Sequence, residues 1–157
     1  MIKHLTLLIA FLMTISSQAS AFDPDDLQSL LRINNCYTDC NLAKASLSGK
    51  DLSGADLDGA NLWKAQLLGA NLSGARLSNA SMRKANLIGA NLDDANLDEA
   101  DLSGADLRGA NLSNAFMRNA NLAGTDLINA NLSFAYIVGA ILCNTTMPDG
   151  SVIYSGC

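Results

Sequence analysis

The sequence predicts an all-β fold in which the chain winds as a parallel coil behind a short capping helix. An apolar residue recurs at every fifth position from Leu42 to Met147, Ala usually stands two places before it, and Gly often follows two places after it. Successive residues turn by about 100° in an α-helix, and side chains alternate between faces in a strand. Residues five apart therefore point in different directions in either element. In a chain that bends once per repeat, every fifth residue faces the same side, and the chain closes into a solenoid.

The first segment, residues 1–21, is typical of a secretory signal peptide. A weakly basic start with Lys3 and His4 precedes an apolar run over residues 5–15, and Ala19-Ser20-Ala21 offers a small-x-small cleavage site. The run is shorter than the roughly 20 apolar residues that span a membrane. We therefore expect cleavage after Ala21, with no membrane insertion of the remaining chain.

Removal of this segment limits the chemistry of the mature chain. The single His, His4, is lost with Lys3, which leaves nine basic against fifteen acidic residues and a net charge of −6. A chain of this charge is not expected to bind nucleic acid or an anionic membrane. Without His, the usual triads and His-assisted metal hydrolysis are absent, and a packed Leu core leaves no ligand pocket. We expect no enzyme, no cofactor and no metal, although a surface Ser–Lys pair stays open.

The next segment, residues 22–39, predicts a helical cap for the first coil. Asp23 suits the N-cap, Pro24 suits the first helical position, and acidic residues fill the first turn. The helix is expected to end near Asn34 and to lie across the first coil, because an open solenoid end exposes core and unpaired backbone. The leucines that share its apolar face are Leu27, Leu30 and Leu31.

Residues 40–149 contain 22 repeats of five, centred on the recurring apolar residue. In an extended segment the Ala and the centre point the same way, so both face the core. The residue between them, usually Asn or Asp, points outward and can bond nearby backbone. Gly tolerates the positive φ of a tight corner. The centres that are not Leu are Met82, Met117, Ile137 and Met147, and the Ala position is changed at Cys40, Lys50, Thr125 and Thr145.

The Ala-Asp/Asn-Leu repeat, with Asn-Leu pairs at 71–72, 91–92 and 111–112, resembles the pentapeptide-repeat family. The resemblance covers the chain from Cys40 to about Asp149. It implies a right-handed, four-sided (quadrilateral) parallel β-helix with four repeats in each coil. Residues twenty apart would then stack on neighbouring coils, and the 22 repeats would form a rod about 26 Å long at the strand spacing.

The last segment, residues 150–157, predicts a C-terminal cap. Pro148-Asp149-Gly150 favours a turn, after which residues 152–154 can fold back over the last coil. This ending resembles that of exported members of the family.

The four cysteines, at positions 36, 40, 143 and 157, predict two disulfides, because an even number in an exported chain favours pairing. Three pairings are possible. Cα atoms must lie within about 7 Å, so a rod of the expected length leaves Cys36–Cys40 and Cys143–Cys157. A redox or zinc role for the first pair is the weaker alternative, because the spacing is not Cys-x-x-Cys and no His is available.

Two charged features lie on the expected outer faces. Lys44, Lys64 and Lys84 fall in one column, with Trp63 and Arg83 beside them, and form a candidate anion or glycan surface unless they are an ordinary solvated face. Trp63 below Arg83 predicts a cation–π contact. The second feature is an acidic belt, interpreted as solvated, with calcium binding as an alternative that lacks a loop motif. Its members are Asp93, Asp94, Asp98, Glu99, Asp101 and Asp106.

A third outer feature interrupts the polar pattern. Phe116 and, one coil on, Tyr136 occupy outward slots that are normally polar, with Phe134, Val138 and Arg118 nearby. Exposed aromatics beside Arg are typical of interfaces. Either a partner covers this candidate interaction site or the C-terminal flank folds over it.

These observations favour an exported, disulfide-capped scaffold that acts through its outer faces on a protein partner. The expected location is periplasmic or extracellular, or the thylakoid lumen if the source is a cyanobacterium, and we expect a monomer. The alternative, implied by the resemblance, is a DNA-mimicking topoisomerase-binding protein, since gyrase-protecting family members are acidic rods. Export, the disulfides and the lysine column argue against this alternative.

Overall fold

A computed structural model describes residues 23–36, 40–154 and 156–157. The predicted signal peptide and Tyr37–Asp39 lie outside these ranges. The described elements are one helix, α1 (Pro24–Ile33), and two short strands, β1 (Thr145–Thr146) and β2 (Val152–Ile153). Between α1 and β1 the chain is held by single-residue parallel bridges, which repeat from one side of the coil to the next.

The bridges define a coil of twenty residues. From Asn41 paired with Asn61 to Asp126 paired with Thr146, each bridge joins a residue to the one twenty positions later. Twenty residues are four pentapeptides, so each coil has four sides. The backbone hydrogen bonds between coils flank these bridges and join residues nineteen or twenty-one positions apart, as where the Leu92 amide donates to the Asn111 carbonyl at 2.7 Å.

The core is a stack of the repeat centres with the small residues that precede them. The centres from Leu42 to Leu127 are at most 1 % exposed, and the alanines two places before them lie with them inside the coil, whereas Lys50, which replaces one of these alanines, is exposed. Thr125 and Thr145 are also buried, and their hydroxyls donate to the carbonyls of Leu102 and Leu122 at 2.9 and 2.6 Å. Replacing Ala by Thr therefore leaves no unsatisfied hydroxyl in the core.

The corners of the coil need a left-handed backbone. Every fifth residue from Lys44 to Asn144 has a φ between 54° and 76°. About half of these residues are Gly and five are Asn, the types that adopt this conformation at least cost. Phe134, with φ 60°, is a bulky residue in a region that such residues rarely occupy. Its side chain is held there at a cost in conformational energy.

The predicted N-terminal helix is confirmed, and α1 closes the first coil. The Asp23 carboxylate accepts from the Asp25 amide at 2.8 Å, and Asn34 ends the helix with φ 55°. The Asp26 carboxylate accepts from the Asn41 amide at 2.7 Å, which fixes the helix to the first coil. Leu30 is buried.

The prediction that three leucines of α1 share one buried face is wrong for one of them. Leu27 packs against the core beside Leu30, but Leu31 is 45 % exposed. Leu31 lies about 100° around the helix from Leu30. The first coil therefore covers only a narrow stripe of the helix and leaves Leu31 in solvent.

The C-terminal flank forms the predicted turn. The Gly150 amide donates to the Met147 carbonyl at 2.9 Å, and β2 pairs antiparallel with β1, with Ile153 opposite Thr145. Tyr154 points away and is 72 % exposed. The flank thus extends one side of the last coil instead of covering the whole end of the rod.

The structure joins Cys36 to Cys40 and Cys143 to Cys157, the pairs expected for a rod. The Cα atoms are 5.5 Å apart in the first pair and 4.8 Å apart in the second. The first disulfide lies where α1 meets the coil, and the second ties the end of the chain to the last coil.

Candidate interaction surfaces of the rod

The aromatic residues of the outward slots form a stacked pair. Phe116 and Tyr136 are bridge partners on neighbouring coils, so their side chains leave the same side in parallel. The ring centroids lie 5.1 Å apart and the planes differ by 4°. Cross-strand aromatic pairs of this kind stabilise a sheet by roughly 0.2–1 kcal/mol.

The surface around this pair is uncovered. Phe134 is 83 % exposed, Val138 is 75 % exposed and Tyr136 is 54 % exposed. We call these three residues and Phe116 the aromatic patch. Of the two alternatives, the described part of the C-terminal flank does not fold over the patch, because β2 pairs with Thr145–Thr146 on a different side of the coil.

Arg118, one coil below Val138, is already engaged. Its Nη2 lies 2.5 Å from Asp98 Oδ2, and its backbone amide donates to the same carboxylate at 2.8 Å. The hydrogen bond from the Arg118 side chain lowers the pKa of Asp98 below its ordinary value. Arg118 therefore borders the aromatic patch as half of an ion pair and not as a free cation.

The lysine column is organised around Trp63, but not as predicted. Lys64 Nζ lies 4.5 Å and Lys44 Nζ 5.1 Å from the ring centroid of Trp63. The predicted contact between Trp63 and Arg83 is wrong, because Arg83 Nε lies 3.7 Å from Asp101 Oδ2. The Asp101 carboxylate attracts the Arg83 guanidinium, and the ammonium groups of Lys44 and Lys64 contact the Trp63 ring instead.

Several carboxylates of the acidic belt are bonded to side chains of the same coil or an adjacent coil. Asp93 accepts from the Ser113 hydroxyl at 2.6 Å, and this bond, followed by one from Asn114, lowers the pKa of Asp93. Asp106 accepts from Arg108 at 2.7 Å, which likewise lowers the pKa of Asp106. Within the described ranges, no group of three His, Cys, Asp or Glu is placed to hold a metal ion.

On one side of the rod, Asn side chains on successive coils are hydrogen-bonded to each other in an amide ladder, which was not predicted from the sequence. The side-chain amide of Asn91 donates to Asn71 at 3.1 Å, that of Asn111 donates to Asn91 at 3.0 Å, and Asn131 continues the series. The twenty-residue spacing of these Asn residues could have predicted it. Because each amide already bonds its neighbours, this side offers few free groups to a ligand.

The fold and the surface together define the class of protein, which is a β-solenoid repeat protein. Its core is filled by buried side chains, and the outward side chains of its coils are the ones that a ligand can reach. The sequence profile of the family described as pentapeptide repeats (8 copies) matches residues 38–74, 70–109 and 105–144. The chain belongs to the pentapeptide-repeat family. No curated protein matches the chain, and none of its described helices is long and apolar enough to cross a membrane.

Solved structures of pentapeptide-repeat proteins resemble the chain. Rfr23 from the cyanobacterium Cyanothece 51142 is 28 % identical, with a TM-score of 0.62, over 74 % of this chain and 92 % of that one. A thylakoid-lumen protein from Arabidopsis thaliana is 31 % identical, with a TM-score of 0.34, over 69 % and 68 %. QnrB1, a plasmid-mediated fluoroquinolone resistance protein, is 24 % identical, with a TM-score of 0.32, over 65 % and 57 %.

Proposed function

We propose that the protein is an exported, non-enzymatic scaffold that binds a protein partner through the outer faces of a right-handed, four-sided rod. The observation that carries this proposal is the aromatic patch, whose large apolar side chains stand together in solvent where the outward slots are mostly polar. Burial of apolar surface contributes about 25 cal/mol per Å². Such a patch is typical of a binding surface.

The backbone conformation of Phe134 also supports the aromatic patch as the binding site. Phe134 has a left-handed backbone conformation that Gly or Asn would adopt at less cost in free energy. Its side chain is exposed and does not pack in the core. The fold therefore gains little from Phe134. A side chain that costs conformational energy and stays exposed fits a role in recognition.

Export rests on the predicted signal peptide, residues 1–21, and on the two disulfides, which persist in oxidising compartments. We propose a mature chain with a cap over residues 22–39, a coil over residues 40–149 and a second cap over residues 150–157. The compartment would be periplasmic, extracellular or, in a cyanobacterium, the thylakoid lumen. The protein would act as a monomer.

The DNA-mimicking alternative is less well supported. A DNA mimic needs rows of free negative charge, whereas Asp56 and Asp58 are paired with Arg76, and Asp98 is paired with Arg118. The likeness to QnrB1 concerns the fold alone. The acidic residues instead stabilise neighbouring coils.

Cell fractionation tests the proposed compartment. We expect the protein outside the cytoplasm, as a species that starts at Phe22 by mass spectrometry and contains no free thiol. A control that lacks residues 1–21 should stay in the cytoplasm. Full-length, reduced protein in the cytoplasm would contradict export.

The double variant Phe116→Ser with Tyr136→Ser tests the aromatic patch. The unfolding free energy should fall by less than about 1 kcal/mol, because only an exposed stacked pair is lost. Cross-linking and pull-down from the exported compartment should no longer capture the partner that the unchanged protein captures. Leu68→Ser is the matched control, since Leu68 is 48 % exposed elsewhere on the rod. A double variant that retains every partner would show that the patch is idle surface.

A further inference from the structure

One corner of the rod concentrates positive charge. The corner column that contains Lys44, Lys64 and Lys84 continues with Gly104, Gly124 and Asn144. The column just before it contains Ala43, Trp63, Arg83, Ser103, Ala123 and Cys143. Neither column holds an acidic residue, although the chain as a whole is acidic. We call Lys44, Lys64, Lys84, Trp63 and Arg83 the lysine corner.

The lysines of this corner differ from the arginines of the rod. In the described part of the chain, every ion pair is made by an arginine: Arg76, Arg83, Arg108 or Arg118. The outward residues on both flanking sides of the first three coils are neutral: Asn41, Asn61, Ser81, Ser46, Gln66 and Asn86. No carboxylate on these two sides of the first three coils therefore offsets the three ammonium groups. On the fourth coil the same two sides carry Asp101, which pairs with Arg83, and Asp106, which pairs with Arg108.

The arrangement costs stability. Residues twenty apart lie on adjacent coils, about 4.8 Å apart in the direction of the bridges, and like charges placed opposite each other repel. The three lysines also have φ values of 63°, 56° and 57°, which Gly or Asn would adopt at less cost. The fold alone would be better served by other residues at this corner.

Trp63 holds part of the corner in place. The half-buried indole lies beneath the Nζ atoms of Lys44 and Lys64, at 5.1 and 4.5 Å from its centroid. Cation–π contacts of this kind restrain flexible lysines. A ligand that binds the two ammonium groups would thus lose less side-chain entropy than at free lysines.

We propose that the lysine corner binds a linear acidic polysaccharide of the polyuronate type, aligned with the rod axis. A polyuronate carries one carboxylate on each sugar, so a chain laid along the corner presents a row of carboxylates to the row of ammonium groups. The part of the half-buried Trp63 indole that the lysines leave exposed can contact the sugar C–H groups. This site is separate from the aromatic patch, which begins beyond the last lysine of the column.

Nucleic acid fits the corner less well. The phosphates of a B-DNA strand rise by about 3.4 Å each along the helix axis and wind around that axis, whereas the lysines form a straight column along the rod. The choice of a polysaccharide rests additionally on the proposed export, which places the protein among extracytoplasmic glycans.

Binding of the purified, disulfide-bonded protein to polygalacturonate tests the proposal, with neutral dextran as the uncharged comparison. Calorimetry at low salt should detect binding to polygalacturonate only, and binding should weaken as salt rises. The triple variant Lys44→Asn, Lys64→Asn, Lys84→Asn should bind at least about tenfold more weakly, since three ion pairs are lost. Its melting temperature should not fall, because Asn suits the corner.

Lys50→Asn is the matched control, because Lys50 is an exposed lysine that lies outside the corner column. This variant should bind polygalacturonate as the unchanged protein does. The proposal is overturned if the triple variant binds equally well, if no binding occurs at low salt, or if a single-stranded DNA oligonucleotide binds as tightly as polygalacturonate. None of these outcomes depends on the compartment or on the aromatic patch, so failure here leaves the scaffold function standing.

Discussion

Leu92→Asp should destroy the cooperative fold of the rod. Leu92 is fully buried between Leu72 and Leu112 in the stack of centres. A carboxylate at this position would have no charged partner and no water, and the cost is several kcal/mol. That cost is a large part of the roughly 5–15 kcal/mol by which domains are stable. Circular dichroism during heating should show loss of the cooperative transition, or a precipitate in place of soluble protein.

The control for this prediction is another leucine in the same rod. Leu68→Asp changes an exposed corner side chain, so a carboxylate there stays in water. Substitutions at such positions usually change stability by less than about 0.5 kcal/mol. A soluble Leu92→Asp protein that melts like Leu68→Asp would show that the repeat centres are not interior.

The position of Leu92 illustrates why so much of this fold was predictable. A period of five excludes the straight helix and the straight strand, and the small residue two places before each centre assigns both to the inside. The helix start at Asp23 and Pro24 was equally explicit, because N-cap and first-turn positions have strong residue preferences. The number of repeats in each coil came from the family resemblance, and the bridges twenty residues apart now supply it directly.

The predictions that were wrong concern which of several nearby groups a side chain or segment contacts. The columns place Trp63 within reach of both lysines and of Arg83, but only the structure shows that Asp101 takes Arg83. The helical pattern cannot reveal how wide a stripe the first coil covers, so Leu31 was placed on the wrong surface. The path of the C-terminal flank depends on the pairing of β1 with β2, which two-residue strands do not indicate.

A solenoid with this regularity is stabilised mainly by contacts between adjacent coils. Its ends are consequently the least supported parts, since each terminal coil has a neighbour on one side only. At the N-terminal end, α1 covers the coil and Leu30 enters the core. At the C-terminal end the described cover is smaller, because β2 contributes two residues and Ile137 stays 36 % exposed. The second disulfide should therefore matter more than the first.

Cys143→Ser with Cys157→Ser should accordingly loosen the C-terminal end of the rod. The Cys143–Cys157 bond spans fourteen residues, and closure of a loop of this length contributes about 3 kcal/mol in the chain-entropy model. For a chain of this size, such a loss lowers the melting temperature by roughly 6–12 °C. Hydrogen exchange should quicken first at Thr146 and Met147, whose amides donate to Thr125 and Ser151.

The matched control for the second disulfide is Cys36→Ser with Cys40→Ser, which removes a bond that spans only four residues. A shorter loop loses less entropy in the unfolded chain, about 2 kcal/mol in the same treatment, and α1 stays attached through the bond between Asp26 and Asn41. The C-terminal double variant should therefore melt at the lower temperature of the two. Equal melting temperatures, with unchanged exchange at Thr146, would show that β1 and β2 hold the end of the rod without the disulfide.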